Sequence, residues 1–268
     1  MNCLLVRYGE ISLKGNNRAF FERQLAHNIR SCLAFHKHPF TEVFRMRNRI
    51  VVTTEKVVPE LRNVLGIVSF SPATQTNPDQ GSILAAIPLH LFQKKSFRVS
   101  TKRLDKNFSL NSIEMDRLAG EYVQRNVSAR VDLKSYELEL GIEILSRHAF
   151  VFTEKIRGFS GLPLGVGGKA VALVDGKGIL AAWLMMKRGV MVQPASFEEK
   201  DISLLQKYAY GHKMSLRLLE SESELNSLGA PLVVGQTLED FSQLDCFVLR
   251  PLIGYSADDI QGLWCRIR

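Results

Sequence analysis

No stretch of this chain approaches the roughly 18 consecutive apolar residues that a membrane-spanning helix needs, which excludes helical membrane spans. The opening segment reaches a charge at Arg7, too early for the apolar core of a secretory leader. Cysteine is scarce. Cys3, Cys32, Cys246 and Cys265 are scattered without a CxxC pair, so neither a zinc site nor a disulfide framework is expected, and reduced thiols in a cytoplasmic protein fit best. No metal is expected. None of the six histidines stands beside a Ser or Cys nucleophile in a recognisable motif, and no catalytic residue is assigned. His36 and His38 read as surface residues after a helix end. The last hundred residues also lack the excess of positive charge found before them. Residues 1–168 hold 24 Lys and Arg against 15 Asp and Glu, whereas residues 169–268 hold 11 against 12. That asymmetry points to a polyanion-binding face on the first part only.

What is present reads as alternating strands and helices. Cys3–Tyr8 is a strand, and Asn16 and Asn17 can cap a helix that turns Phe21, Leu25, Ile29 and Leu33 to one side. Strands at Phe40–Arg45 and Ile50–Thr54 flank a turn, and Val58–Leu65 reads as a short helix. The resulting β-α-β-β-α-β order over residues 1–70 is that of a ferredoxin-like sandwich. Residues 72–82 (Pro-Ala-Thr-Gln-Thr-Asn-Pro-Asp-Gln-Gly-Ser) are rich in turn formers and read as a linker. A helix at 82–93, a strand at Ser96–Arg103, a helix at Ser112–Gln124 capped by Ser112, and strands at Ala129–Leu133, Glu137–Leu145 and His148–Thr153 follow. In Glu137–Ile144 acids and aliphatics alternate with period two, as on a half-buried sheet with its acids outward, so these carboxylates are not read as a catalytic pair. A Gly-rich connector at Gly158–Gly168 leads to further alternation: strands near 190–193, 214–219, 231–234 and 247–250, and helices at Leu180–Arg188, around 198–210 and near 256–264. This predicts a small, mainly parallel, three-layer sheet.

Two sets of residues could carry chemistry. Arg98, Lys102, Arg103 and Lys106 cluster at the end of one strand and the loop after it, with Lys155 and Arg157 extending the surface, and suit phosphate contacts. Phe97 and Phe108 flank them; Phe108 could stack on an unpaired base, whereas Phe97 reads as core. Separately, Val171–Trp183 reads as strand, Gly-rich turn and helix start, the architecture of a phosphate cradle. Its turn, Asp175-Gly-Lys-Gly178, has no hydroxyl and is short for a pyrophosphate. Asp175 adds repulsion, and Lys177 offsets it in part, leaving nucleotide binding open.

These pieces resemble tRNA 4-thiouridine synthetases of the ThiI type. Arg7-Tyr-Gly-Glu-Ile-Ser-Leu-Lys14 is similar to the opening of that family's ferredoxin-like domain. Phe97–Arg103, Val131–Lys134 and Phe152–Gly158 are similar to its THUMP domain; Gly161–Gly165, Ala182–Gly189 and Leu249–Gly254 are similar to its PP-loop domain. The resemblance implies an α/β fold in three parts: a ferredoxin-like α/β domain at 1–71, a THUMP α/β domain at 72–164, and a small Rossmann-like three-layer αβα domain of PP-loop type at 165–268. It implies tRNA as partner, gripped at the acceptor region and 3′ end, with ATP as cofactor for adenylating a uridine and a sulfur-donor protein and a homodimer as further partners. Two departures bear on that chemistry. The family's Ser-Gly-Gly-x-Asp-Ser loop corresponds to Asp175–Gly178, where Gly176 and Gly178 remain as weak nucleotide contacts, and Gly235 and Gln236 look like two ATP-contact positions fused. The family's sulfur-handling cysteine has no counterpart in these residues. Tyr208–Lys213 resembles a shorter archaeal branch with the same degraded loop. The expectation is a tRNA-binding protein linked to 4-thiouridine modification without its own adenylation chemistry. The alternatives are an active sulfurtransferase fed by a partner, and a scaffold that binds no RNA.

Overall fold

The computed structural model describes residues 1–227 and 229–267. In chain order the elements begin with β1 (Cys3–Tyr8), α1 (Arg18–Phe35), β2 (Glu42–Met46), β3 (Arg49–Thr53), β4 (Ile67–Thr76), α2 (Gln80–Ala85) and β5 (Ser96–Arg103). There follow α3 (Ser112–Asn126), β6 (Arg130–Val131), β7 (Leu138–Leu145), β8 (His148–Phe152), β9 (Ile156–Arg157), β10 (Lys169–Leu173) and α4 (Gly178–Lys187). The last are β11 (Met191–Ser196), α5 (Ser203–Gln206), β12 (Arg217–Leu218), β13 (Leu232–Val233), β14 (Val248–Leu249) and α6 (Ala257–Ile267). They form two units interleaved in sequence. The first takes Met1–Arg7, Pro39–Pro59 and Ser69–Arg157; the second takes Tyr8–His38, Glu60–Val68 and Gly158–Arg268.

The first unit is built on a sheet in the order β2-β3-β1-β4-β8-β7-β5-β6, with β9 pairing β4. The residues expected to be a linker begin instead as the second half of β4. Ser69 and Phe70 pair with β9, and Thr74–Thr76 pair with β8. Pro72, which suggested a break, lies between these two ladders, where its missing N–H costs no bond in either. One face of the β5–β8 region carries α2 and α3 over a core of Phe92, Phe97, Met115, Leu140 and Ile142. Asn111, not Ser112, caps α3, because Glu114 stands three residues on and closes a capping box with it. The opposite face gathers Cys3, Leu5, Val51, Ala73, Leu145 and Phe150 into a second core. In a flat sheet β3 and β7 would lie about 19 Å apart, four strand spacings. Direct ion pairs of Glu143 on β7 with Arg7 on β1 and Arg49 on β3, each at 2.7 Å, therefore require the sheet to curl over this core. Glu143 is 2% exposed, a correction to the outward acid face that the alternation predicted.

The second unit centres on an all-parallel sheet, β12-β11-β10-β13-β14. Helices α4, α5 and α6 share a core with Ala170, Ala172, Val192 and Val233, and Val171, Ala195, Leu225 and Leu232 form another core. Phe159, Trp183 and Tyr208 meet edge to face. Helix α1 buries Leu25, Ile29 and Leu33 as its spacing predicts, while Phe21 is only half-buried. It is entered through a 3-10 turn at Gly15–Asn17 with no side-chain cap, so the two asparagines do not cap it. The helix expected around 198–210 shrinks to α5, and the one at 58–65 is a 3-10 turn at Pro59–Asn63. Among the described residues no helix is long and apolar enough to cross a membrane, and no group of three or more His, Cys, Asp or Glu could hold a metal ion. Burial pushes the Cys3 and Cys32 thiols up to about 12, which disfavours the reactive thiolate.

Candidate functional site

On β5 successive side chains alternate between faces, so Arg98, Ser100 and Lys102 share the helix-free face, while Arg103 lies on the other. The parallel pairing with β7 sets Arg98 beside Glu139 and Lys102 beside Glu143. Arg98 is committed: it donates to Glu139 at 2.8 Å and stacks over Tyr136 at 4.2 Å. Arg103 is committed too, donating to the carbonyls of Phe108 and Leu110 and so pinning the loop that carries Lys106. Phe97 is fully buried and Phe108 packs partly against the same core. Lys102 and Lys106 are exposed and enter no ion pair among the described residues. Lys155, also exposed, has its pKa lowered, first by partial burial and then by the charges of Arg7 and Lys102. Lys155 thus lies within electrostatic range of both Lys102 and the buried Arg7. Arg157 is exposed on β9, paired through its backbone with Ser69.

The buried charges behind this surface escaped the sequence reading. Arg7 and Arg49 share one carboxylate, Arg7 also donates to Ser71 and stacks on Phe152, and its second terminal nitrogen has no partner among the described atoms. Burial works to raise the Glu143 pKa, yet the two guanidiniums hold it below the ordinary value. Burial lowers that of Arg7. The trio carries a net positive charge. A basic residue at the inward period of β1 and β3 was the available signal.

In the second unit the turn between β10 and α4 is filled from within. Asp175 accepts from Ser196 Oγ at 3.0 Å, and Gly178 N–H donates to the Asp175 carbonyl at 2.8 Å. Lys177 Nζ lies 2.9 Å from Asp240 Oδ2 and donates to Thr237 Oγ1 at 3.3 Å. The Thr237 N–H and hydroxyl both donate to Asp240 Oδ1 at 2.6 Å. The Thr237 hydroxyl foremost, then Lys177, hold the Asp240 carboxyl far below the usual carboxylate range. The spacing Thr237-x-x-Asp240 is that of a capping motif and could have been read as one. Gln236, expected as a nucleotide contact, accepts from Arg250 at 2.8 Å and donates to Ser242. Glycines 178 and 235 serve packing. A Cβ on Gly235 would sit 2.5 Å from the Gly178 nitrogen, and one on Gly178 would sit 1.9 Å from the Leu173 carbonyl. Gly176 is in open space at φ +51.

Residues 3–71 match the model of the ThiI ferredoxin-like domain, and residues 83–154 match that of the THUMP domain. A Thermococcus kodakarensis protein named "Probable tRNA sulfurtransferase" is 37% identical over 83% of this chain, and one of the same name from a Thermoanaerobacter species is 41% identical over 72%. The chain spans only 64% and 53% of those two relatives. Among solved structures, PH1313 from Pyrococcus horikoshii is 33% identical with a TM-score of 0.88, covering all of this chain and 99% of that one. A 4-thiouridine synthetase crystallised with RNA and ATP shares the fold, with a TM-score of 0.79 at 23% identity over all of this chain and 85% of its own. The chain belongs to the ThiI family, carrying that family's ferredoxin-like and THUMP domains ahead of a parallel-sheet, Rossmann-like domain.

Proposed function

We propose that this chain binds tRNA in the service of 4-thiouridine modification, gripping the acceptor region and 3′ end, and has no adenylation chemistry of its own. Residues 1–164 supply the grip and residues 165–268 the inactive third domain. Lys102, Lys106, Lys155 and Arg157 contact phosphates, and Arg98 and Arg103 hold the strand and loop that present them. The observation that carries the RNA part is the exposed Lys102, set by strand register beside Glu143 in a buried trio of net positive charge, with Lys155 within electrostatic range of it.

The third domain does not fit ATP. The cation that could have met a phosphate, Lys177, is paired with Asp240, a second acid, Asp175, faces the same turn, and no hydroxyl stands within that turn. No step is assigned through ATP, and Gly176, Gly178, Gly235 and Gln236 are left without a nucleotide role.

Both halves are open to measurement. The double variant Lys102→Glu/Lys155→Glu should weaken tRNA binding by roughly 100-fold, about 1.5 kcal/mol for each charge-assisted hydrogen bond removed. It should also flatten the salt dependence by about two units in a plot of log affinity against log salt. An unchanged affinity would remove the RNA face. ATP–pyrophosphate exchange by the purified chain should be absent. Robust exchange would instead return adenylation chemistry to the chain and favour the sulfurtransferase reading.

A further inference from the structure

Lys94, Lys95 and Arg130 line a notch of about 370 Å³ at the start of β5, together with Ser96, Ser128 and Glu137. This is the end of the strand opposite Lys102, about 20 Å away over six residues of extended chain. Backbone bonds hold the walls. The Lys94 N–H donates to the Ser128 carbonyl at 2.6 Å and the Arg130 N–H to the Lys95 carbonyl at 3.0 Å, while Ser96 and Arg130 are partners in the β5–β6 ladder. Lys94 adopts φ +59, a left-handed conformation uncommon for a residue with a Cβ, and it places two consecutive lysines at the mouth. One lining group is acidic. Glu137 already accepts from the Ser96 N–H at 2.8 Å and from its hydroxyl at 3.0 Å. Asp132 lies 3.5 Å from Arg130, whose side chain is 77% exposed, and a pair so open to solvent is a weak one. Counting both acids, the notch keeps a net positive charge.

A concave surface with three cations and a surplus of charge suits a phosphate, which accepts from several donors at once. Between the notch and Lys102 run Ser96, Arg98 and Ser100, all on the face of β5 that carries no helix. We propose that the notch is a second phosphate site, filled by a backbone phosphate of the same RNA, whose single-stranded 3′ end runs along β5 from Lys102 to Arg130. This rests on the RNA-binding role proposed for the chain, and adds to it a second site with the path between them.

The test compares the full-length chain with Lys94→Glu/Lys95→Glu, with Arg130→Glu, and with the milder Lys94→Gln/Lys95→Gln. Binding is measured to tRNA with an intact 3′ end and to tRNA shortened at that end. Losing one neutralised phosphate of a single strand should flatten the salt slope by about 0.7 and lower affinity for the intact tRNA by about tenfold or more. The glutamine pair should fall between, and the shortened tRNA should scarcely distinguish any variant from the parent. The site is overturned if the notch variants bind intact tRNA within twofold of the parent while Lys102→Glu/Lys155→Glu does not. If the parent chain shows no salt-sensitive tRNA binding, the RNA role falls and the notch with it. Saturable binding of pyrophosphate that the notch variants abolish, with tRNA affinity unmoved, would assign the site to a free anion instead.

Discussion

Replacing Glu143 with alanine is expected to lower the unfolding free energy by about 3–5 kcal/mol, the loss seen when one partner of a buried ion pair is removed and the other is left stranded. Here two guanidiniums would be stranded, Arg7 at 5% exposure and Arg49 at 9%, under a core that the curled sheet closes. At about 2–4 °C per kcal/mol for a protein of this size, the melting temperature should drop by roughly 10 °C. Glu139→Ala is the control. Its pair with Arg98 lies at the surface, so it should cost no more than about 1 kcal/mol. The pH dependence has a fixed sign. Because the folded state holds the Glu143 pKa below its ordinary value, the stabilisation is fully present above that value, near 4.5, and is lost as pH falls through the lower folded one. Acid unfolding of Glu143→Ala should therefore lack part of the steepness seen in the parent below pH 4.5. A glutamine at 143 retains the shape and some hydrogen bonding, and should lie between the two.

The same residue marks where the sequence ceases to be readable. Period-two alternation predicted β7 correctly, since Leu140, Ile142 and Ile144 do fill the core under α3. It also implied that the other face meets water. That inference fails at Glu143 because a sheet may bury both faces when it curls, and curling depends on partners far away in sequence, β1 and β3. The basic cluster on β5 is legible for a similar reason and to a similar limit. Strand periodicity puts Arg98 and Lys102 on one side, but no local pattern could say that the Arg98 charge would pair with Glu139, or that Lys155, more than fifty residues on, would come within electrostatic range of Lys102. Pro72 misled because a proline reads as an interruption, whereas here it occupies the interval in which β4 changes partners. The turn at Asp175–Gly178 is legible as a strand-to-helix turn with glycines, and it joins β10 to α4. What the spacing of glycines did not convey is whether they make room for a ligand or for the chain itself.

Alanine substitutions distinguish those two uses of glycine. Gly178→Ala places a methyl carbon 1.9 Å from the Leu173 carbonyl, between the last residue of β10 and the first of α4, with only backbone to yield. Gly235→Ala puts one 2.5 Å from both the Gly178 nitrogen and the Lys177 carbonyl carbon. Overpacking of a well-packed interior costs about 1–3 kcal/mol, and the rigid neighbours here set the expectation at about 3 for Gly178 and about 2 for Gly235. Gly176→Ala meets nothing within 4 Å and has only its left-handed backbone to sustain, at about 1–2 kcal/mol. Thermal or urea unfolding should thus rank Gly178 first, and Gly178→Ala/Gly235→Ala should cost less than the sum of its parts, because both displace the backbone at Gly178 and one shift relieves part of each clash. Had these glycines been kept for a phosphate, substitution would leave stability nearly intact and appear as lost nucleotide binding. A silent Gly178→Ala in unfolding, accompanied by a change in ATP affinity, would therefore return the turn to the service of a nucleotide.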